Sequence, residues 1–184
     1  IEEVSPDNVI IIGENTYNRV RDIVKGRQGM KFTAVDNRNE EEFSNLTTIQ
    51  FAPEEIGYLA GRLTAKGSVG NIGYFSTFKS SYENRELYGF FQGVEKENSN
   101  LKISTRYMEE VENDNKVKDY LKKFKDEGCS SLFASIPYSN EIVSESSALR
   151  TIYFDYNALE NAKYLVQKSY TKAIDRAIEV IKGE

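Results

Sequence analysis

Between residues 53 and 155, amphipathic helices and short apolar strands take turns with little else between them. This alternation restricts the fold more than any other feature of the chain. Pro53 stands where the first turn of a helix tolerates a missing N–H, and Glu54 and Glu55 follow at the positive end of the dipole. Ile56, Leu59, Ala60 and Leu63 recur at helical spacing, which predicts a helix over 53–65 with those four residues inward. Gly67 ends it, and a mostly apolar strand over 69–75 breaks at Ser76. A helix over 82–97 carries Tyr82, Leu87, Phe90, Phe91 and Val94, and leads to a strand over 101–107. A helix over 114–127 carries Val117, Tyr120, Leu121 and Phe124, and leads to a strand over 130–135. A short helix over 139–148 and a strand over 150–155 complete the series. Alternation of this kind argues for a parallel sheet with helices on both faces.

Either side of this block the chain supplies pieces of a second α/β unit. Residues 7–13, DNVIIIG, form a strand with four consecutive apolar residues, as buried parallel strands do. A helix over 15–25 turns Tyr17, Val20, Ile23 and Val24 inward. Strands follow over 31–36 and 46–51, and the latter, LTTIQF, is rich in β-branched residues. After residue 157 come a short strand near 164–166 and a helix over 169–182, with Ala173, Ile174, Ala177, Ile178 and Ile181 on one face. The expected division is therefore two lobes: residues 1–52 with 158–184, and residues 53–157. The chain crosses between them near 51–53 and 157–161.

Composition narrows the function. The net charge is −5, and the lysines at 116, 118, 122, 123 and 125 are interleaved with Asp119 and Asp126. That pattern reads as a solvated helix face, so no nucleic acid partner is expected. No run of about 18 apolar residues is present to span a bilayer. The chain opens at Ile1 without a signal peptide or lipobox cysteine, as expected of a processed or trimmed start. The single Cys129 rules out an internal disulfide and reads as a packing residue. There is no histidine. That removes the usual general base, the usual zinc ligand and every His-dependent triad, so neither an enzyme nor a metal or other cofactor is expected. The glycines at 67, 70 and 73 do not form a phosphate loop, because Gly73 falls inside a strand and no helix starts after Gly70. The acidic run at 109–115 lacks the spacing of a calcium loop and reads as a helix start.

Phe51, Glu54, Glu55, Tyr58, Leu59, Ala60, Gly61 and Ala65, then Gly67, Val69, Gly70 and Gly73, then Gly89, Phe90, Gly93 and Val94 carry a resemblance in their order and spacing. They resemble the basic membrane protein family of bacterial lipoproteins, the substrate-binding proteins of nucleoside ABC transporters. The segment GMKFTAVD at 29–36 is similar to the family's strand before the hinge, and YFDYN at 153–157 to its strand after the second lobe. The resemblance implies a periplasmic-binding protein type I fold that closes two lobes over a purine nucleoside by a hinge motion. It also implies an ABC permease as partner and an extracytoplasmic, cell-surface location. Membrane association would come only through a lipid anchor that this chain does not carry. The family's first β-α units and last strand segments have no counterpart here, so the first lobe is expected to be incomplete, in a fragment or in a shortened relative.

In open α/β sheets ligands sit beyond the carboxyl ends of the strands. The loops at 13–17, 36–38, 76–79, 135–140 and 155–157 are therefore the candidate rim. Asp155 is the first choice, since a carboxylate at a strand end accepts hydrogen bonds from the two adjacent hydroxyls of a ribose. It also matches the first aspartate of the family's ribose-binding motif, whose second aspartate is Asn157 here. The alternative is a strand-end aspartate capping a turn. Lys168 falls on the ligand lysine of a family Ser-x-x-Lys pattern, with Leu165 in place of the serine. A surface lysine is the alternative. Phe78, Tyr138, Tyr17 and Tyr156 lie on rim loops, where aromatic rings stack on a nucleobase or pack into the core. Ser135 and Asn140 are placed to contact the edge of the base. Ser76 and Thr77 stand where the family has a glycine pair, and 135–139 replace a glycine-rich loop, which reshapes the space a ligand approaches.

The resemblance thus implies a solute-binding protein of an ABC transporter that takes a small polar ligand, a purine nucleoside. The alternative is a ligand-sensing regulatory domain of the same fold that signals to a partner.

Overall fold

The computed structural model describes residues 6–38, 41–77, 79–108, 114–136, 149–154 and 164–183. The expected helix at 139–148 lies outside them. The chain forms two compact units, Ile1–Phe51 with Lys168–Glu184, and Ala52–Gln167.

The first unit holds β1 (Asn8–Ile12), α1 (Glu14–Gly26), β2 (Lys31–Val35), β3 (Leu46–Ile49) and α5 (Tyr170–Lys182). Its sheet runs β1-β2-β3, all parallel. Successive side chains of a strand point to opposite faces, and both faces are covered. Ile11, Phe32 and Ala34 pack on Tyr17 and Val24 of α1. On the other face Val35, with Ile10 and Ile49, packs on Ala173 and Ala177 of α5. The last carbonyls of α1 have no partner within the helix. Buried Asn45 satisfies them by reaching Val24 O at 2.9 Å and Arg27 O at 3.1 Å, and Met30 O at 3.2 Å before β2.

The second unit holds α2 (Pro53–Ala65), β4 (Asn71–Ser76), α3 (Ser81–Asn98), β5 (Ile103–Tyr107), α4 (Asp114–Asp126), β6 (Cys129–Ser135), β7 (Arg150–Phe154) and β8 (Leu165–Val166). Five parallel strands run in the order β5-β4-β6-β7-β8. Phe75, Leu132, Ala134 and Tyr153 pack with Val117, Leu121 and Phe124 of α4. From the alternate positions Tyr74 and Phe133 meet Phe90 of α3, whose ring is stacked on Phe133 at 5.7 Å. Arg150 closes the end of α2 by donating to Leu63 O and Thr64 O, both at 2.7 Å. Because β8 is hydrogen-bonded to β7, the chain stays with this unit through Gln167, past the return expected at 158.

Two local expectations fail. Val69 is 95% exposed and precedes the strand, whereas Ser76 is its last residue rather than its break. Helix α2 is also rotated from its expected face: Leu59 is 53% and Leu63 38% exposed, while Gly57, Ala60, Gly61 and Thr64 are buried. Glycine explains the rotation. A Cβ at Gly57 would lie 1.8 Å from Glu86 O, at Gly61 2.3 Å from Phe90 O, at Gly89 2.0 Å from Glu54 O and at Gly93 2.2 Å from Tyr58 O. The two helices meet backbone to backbone, and only their bare faces permit that approach. The same packing leaves Phe91 on the outside of α3, and Ile23 of α1 and Ile178 of α5 are likewise outward.

Candidate functional site

The strand order of the second unit fixes where a ligand is most easily received. From β4 the chain moves to β5 on one side and then back to β6 on the other, so the order reverses between β4 and β6. At such a switch point the connecting segments diverge and leave a crevice at the carboxyl ends. Ser76 ends β4, Ser135 ends β6, and the two are register partners. Two of the expected site residues are thereby brought side by side. Both are buried, and Ser76 Oγ donates to Ser135 O at 3.4 Å.

Beneath them lies a group not selected from the sequence. Glu86, on the second turn of α3, is fully buried. Its carboxylate accepts from Tyr74 OH at 2.8 Å and from Ser135 Oγ at 3.2 Å. Tyr74 OH also lies 3.3 Å from Glu83 O. Burial pushes the Tyr74 phenol far above its ordinary range, and the charge of Glu86 and the bond to it push the same way. Tyr107 is raised for the same reasons, burial first and then Glu83 and Glu86. The helix that carries these glutamates starts at an N-cap, Ser80, which accepts from Tyr82 N at 3.2 Å and pairs with Glu83.

The first unit presents its own carboxyl edge. Gly13, at φ 86, turns β1 into α1 and donates its N–H to Val35 O at 2.9 Å. Asp36 follows β2 at φ 59, a left-handed conformation uncommon outside glycine. Lys168 Nζ donates to both Asp36 carboxylate oxygens at 2.9 Å, and Tyr170 OH donates to Oδ2 at 2.5 Å. The ammonium also stands 5.5 Å from the centre of the Phe51 ring, which meets Tyr170 edge-on. With side-chain exposures of 6% and 12%, Lys168 and Asp36 form a part-buried ion pair whose charged ends are mostly covered. Lys168 is therefore at the rim but held by Asp36, not a bare surface lysine. Asp36 lay within an expected rim loop without being chosen, and nothing in the sequence marked Tyr170.

Tyr17 is fully buried in the core of the first unit and is a packing residue, not a rim residue. Burial raises its phenol, with Glu41 adding and Arg21 opposing. Asp155, Phe78, Tyr138, Asn140 and Tyr156 lie outside the described residues. Among the described residues no cluster of three or more acidic, cysteine or histidine side chains is able to hold a metal. No described helix is long and apolar enough to cross a membrane. Away from the sheet edges, α2 and α3 frame a groove of about 480 Å³ lined by Glu54, Glu55, Tyr58, Leu59 and Gln92.

Comparison with known proteins agrees with this fold. A family model described as ABC transporter substrate-binding protein PnrA-like matches residues 3–183. Basic membrane protein D of Borreliella burgdorferi is 34% identical over 65 residues, 35% of this chain and 19% of that protein. Transcriptional activator protein med of Bacillus subtilis is 24% identical over 141 residues, 74% of this chain and 44% of that protein. The chain thus spans less than half the length of either relative. Among solved structures, an ABC transporter solute-binding protein from Aeropyrum pernix superposes with a TM-score of 0.69 at 14% identity, over 99% of this chain and 56% of that one. A transcriptional activator of the comK gene from Bacillus halodurans gives 0.67 at 17% identity, over 83% and 53%. Both likenesses are of fold, the periplasmic-binding type I arrangement of parallel sheets and helices. The chain belongs to the PnrA-like family of ABC transporter substrate-binding proteins.

Proposed function

We propose that the chain binds a purine nucleoside at the carboxyl edge of its five-stranded sheet and delivers it to an ABC permease outside the cytoplasm, anchored by lipid in the whole protein. The observation that carries the reading is the Ser76–Ser135 register pair at the switch point of the five-stranded sheet. Hydroxyls at that point offer hydrogen bonds to the edge of a base. Asp155 follows β7 directly in sequence and is assigned to the ribose hydroxyls, with Phe78 and Tyr138 stacking on the base and Asn140 on its edge. Recognition uses hydrogen bonding and stacking, with no bond made or broken.

Calorimetric titration with adenosine, guanosine, inosine and uridine tests this. Purine binding weakened at least roughly tenfold by Asp155→Ala, a loss of about 1.4 kcal/mol, supports the reading. No heat with any nucleoside from a cooperatively folded sample overturns it. Similarity to two proteins named as transcriptional activators supports a second reading, a sensor of the same ligand. Nucleoside-dependent capture by a permease favours delivery, and nucleoside-dependent transcription without uptake favours sensing.

A further inference from the structure

We propose that Glu86 sets the hydrogen-bonding polarity of the rim. It takes the proton of Ser135, so this hydroxyl meets the ligand as an acceptor and selects a donor, the exocyclic 6-amino group of adenosine. The inference rests on the reading that Ser135 contacts the base.

The argument is one of donors and acceptors. Both Glu86 carboxyl oxygens accept here, whereas a serine hydroxyl has one proton to give and two lone pairs. Glu86 is fully buried, so its oxygens depend on protein donors. Tyr74 supplies one at 2.8 Å to Oε1 and Ser135 another at 3.2 Å to Oε2. A buried acceptor left short of a donor costs the full desolvation of that oxygen, and more where it carries charge. Turning the Ser135 proton outward, to meet an acceptor on the ligand, would take it from Glu86. The Ser135 lone pairs remain available at no such cost. Ser135 ends β6 at the switch point while Glu86 approaches from α3, so the carboxylate lies behind the serine and acts through it. Glu86 is a positioning residue that decides specificity without touching ligand.

Three nucleosides separate the possibilities. Adenosine carries a donor at position 6, purine riboside carries only hydrogen there, and inosine carries an acceptor. The wild-type chain is expected to bind adenosine roughly tenfold or more tighter than purine riboside and inosine, the cost of an unmatched buried group. In Glu86→Gln the amide donates to Ser135 and frees its proton. The adenosine preference is then expected to fall by roughly tenfold, with inosine gaining on adenosine. Ser135→Ala removes the hydroxyl, and with it one donor to Glu86, and should equalise adenosine and purine riboside. It keeps the test open should Glu86→Gln unfold. The ratio between ligands is the readout, because a general structural defect weakens all three alike. An adenosine preference that survives either folded variant, or equal binding of all three to the wild type, overturns the inference alone. No binding of any of the three to the wild type overturns the nucleoside reading and this inference with it.

Discussion

The Asp36–Lys168 pair is the most exacting test of the first unit. Two unit charges 2.9 Å apart attract by about 6 kcal/mol at an effective dielectric of about 20, before desolvation is subtracted. The net value of the pair is far smaller, because both ions have given up water. The asymmetry appears when one partner is removed. In Lys168→Met, Asp36 keeps the Tyr170 hydroxyl but loses its counter-ion while only 12% exposed. The expected cost is about 3–5 kcal/mol, the price of an uncompensated buried charge. Asp36→Asn is the matching change: asparagine tolerates the left-handed backbone at φ 59, so the loss comes from charge and not from strain. The double variant replaces the pair by neutral groups of similar shape and should be more stable than either single one. Hydrogen exchange of the β2 amides, Lys31–Val35, reads the first unit without interference from the second. Single variants costing under about 1 kcal/mol, with additive effects in the double, would mean the pair behaves as a solvated surface bridge and would refute the reasoning.

Three further outcomes follow from the second unit. Gly89→Ala puts a methyl 2.0 Å from Glu54 O, so the helices must part, and denaturant unfolding should show a loss of about 2–3 kcal/mol; an unchanged midpoint contradicts the backbone contact. The raised Tyr74 phenol keeps its proton in the folded state while the unfolded chain releases it, so its contribution to stability is whole below about pH 10 and falls as pH rises beyond that. Alkaline titration followed by phenolate absorbance should find Tyr74 ionising only with unfolding, and early ionisation would refute the assigned burial. Burial also raises the Cys129 thiol, so alkylation near pH 8 should be slow until denaturant is added, and rapid labelling of the folded chain would count against its place in the core.

The sheets were legible because their strands are apolar runs bounded by glycine and polar residues, as at Ile10–Ile12 and Phe133–Ala134, and because helices intervene at regular intervals. The α2 face was not. Periodicity ranks side chains by apolarity and so joined Leu59 and Leu63 to Ile56. The contact with α3 is made instead by Gly57 and Gly61 against Gly89 and Gly93, through an absence of side chain that a hydrophobic pattern does not score. The site divides the same way. Ser76 and Ser135 were identified from their loops, but their pairing depends on strand order, which the chain acquires only on folding. Glu86 reads in sequence as one polar residue of an amphipathic helix, and its burial follows from the Tyr74 hydroxyl and Ser135 lying above it. Asp36 is ordinary in sequence, and its left-handed backbone and its partner Lys168, 132 positions away, exist only in the fold.

The most direct test of the central claim is to map where adenosine perturbs the backbone amide resonances of the labelled chain. The account predicts saturable shifts centred on Ser76 and Ser135 at the carboxyl ends of β4 and β6. Shifts confined to the groove beside Tyr58, Leu59 and Gln92, with the two serines unmoved, would contradict it.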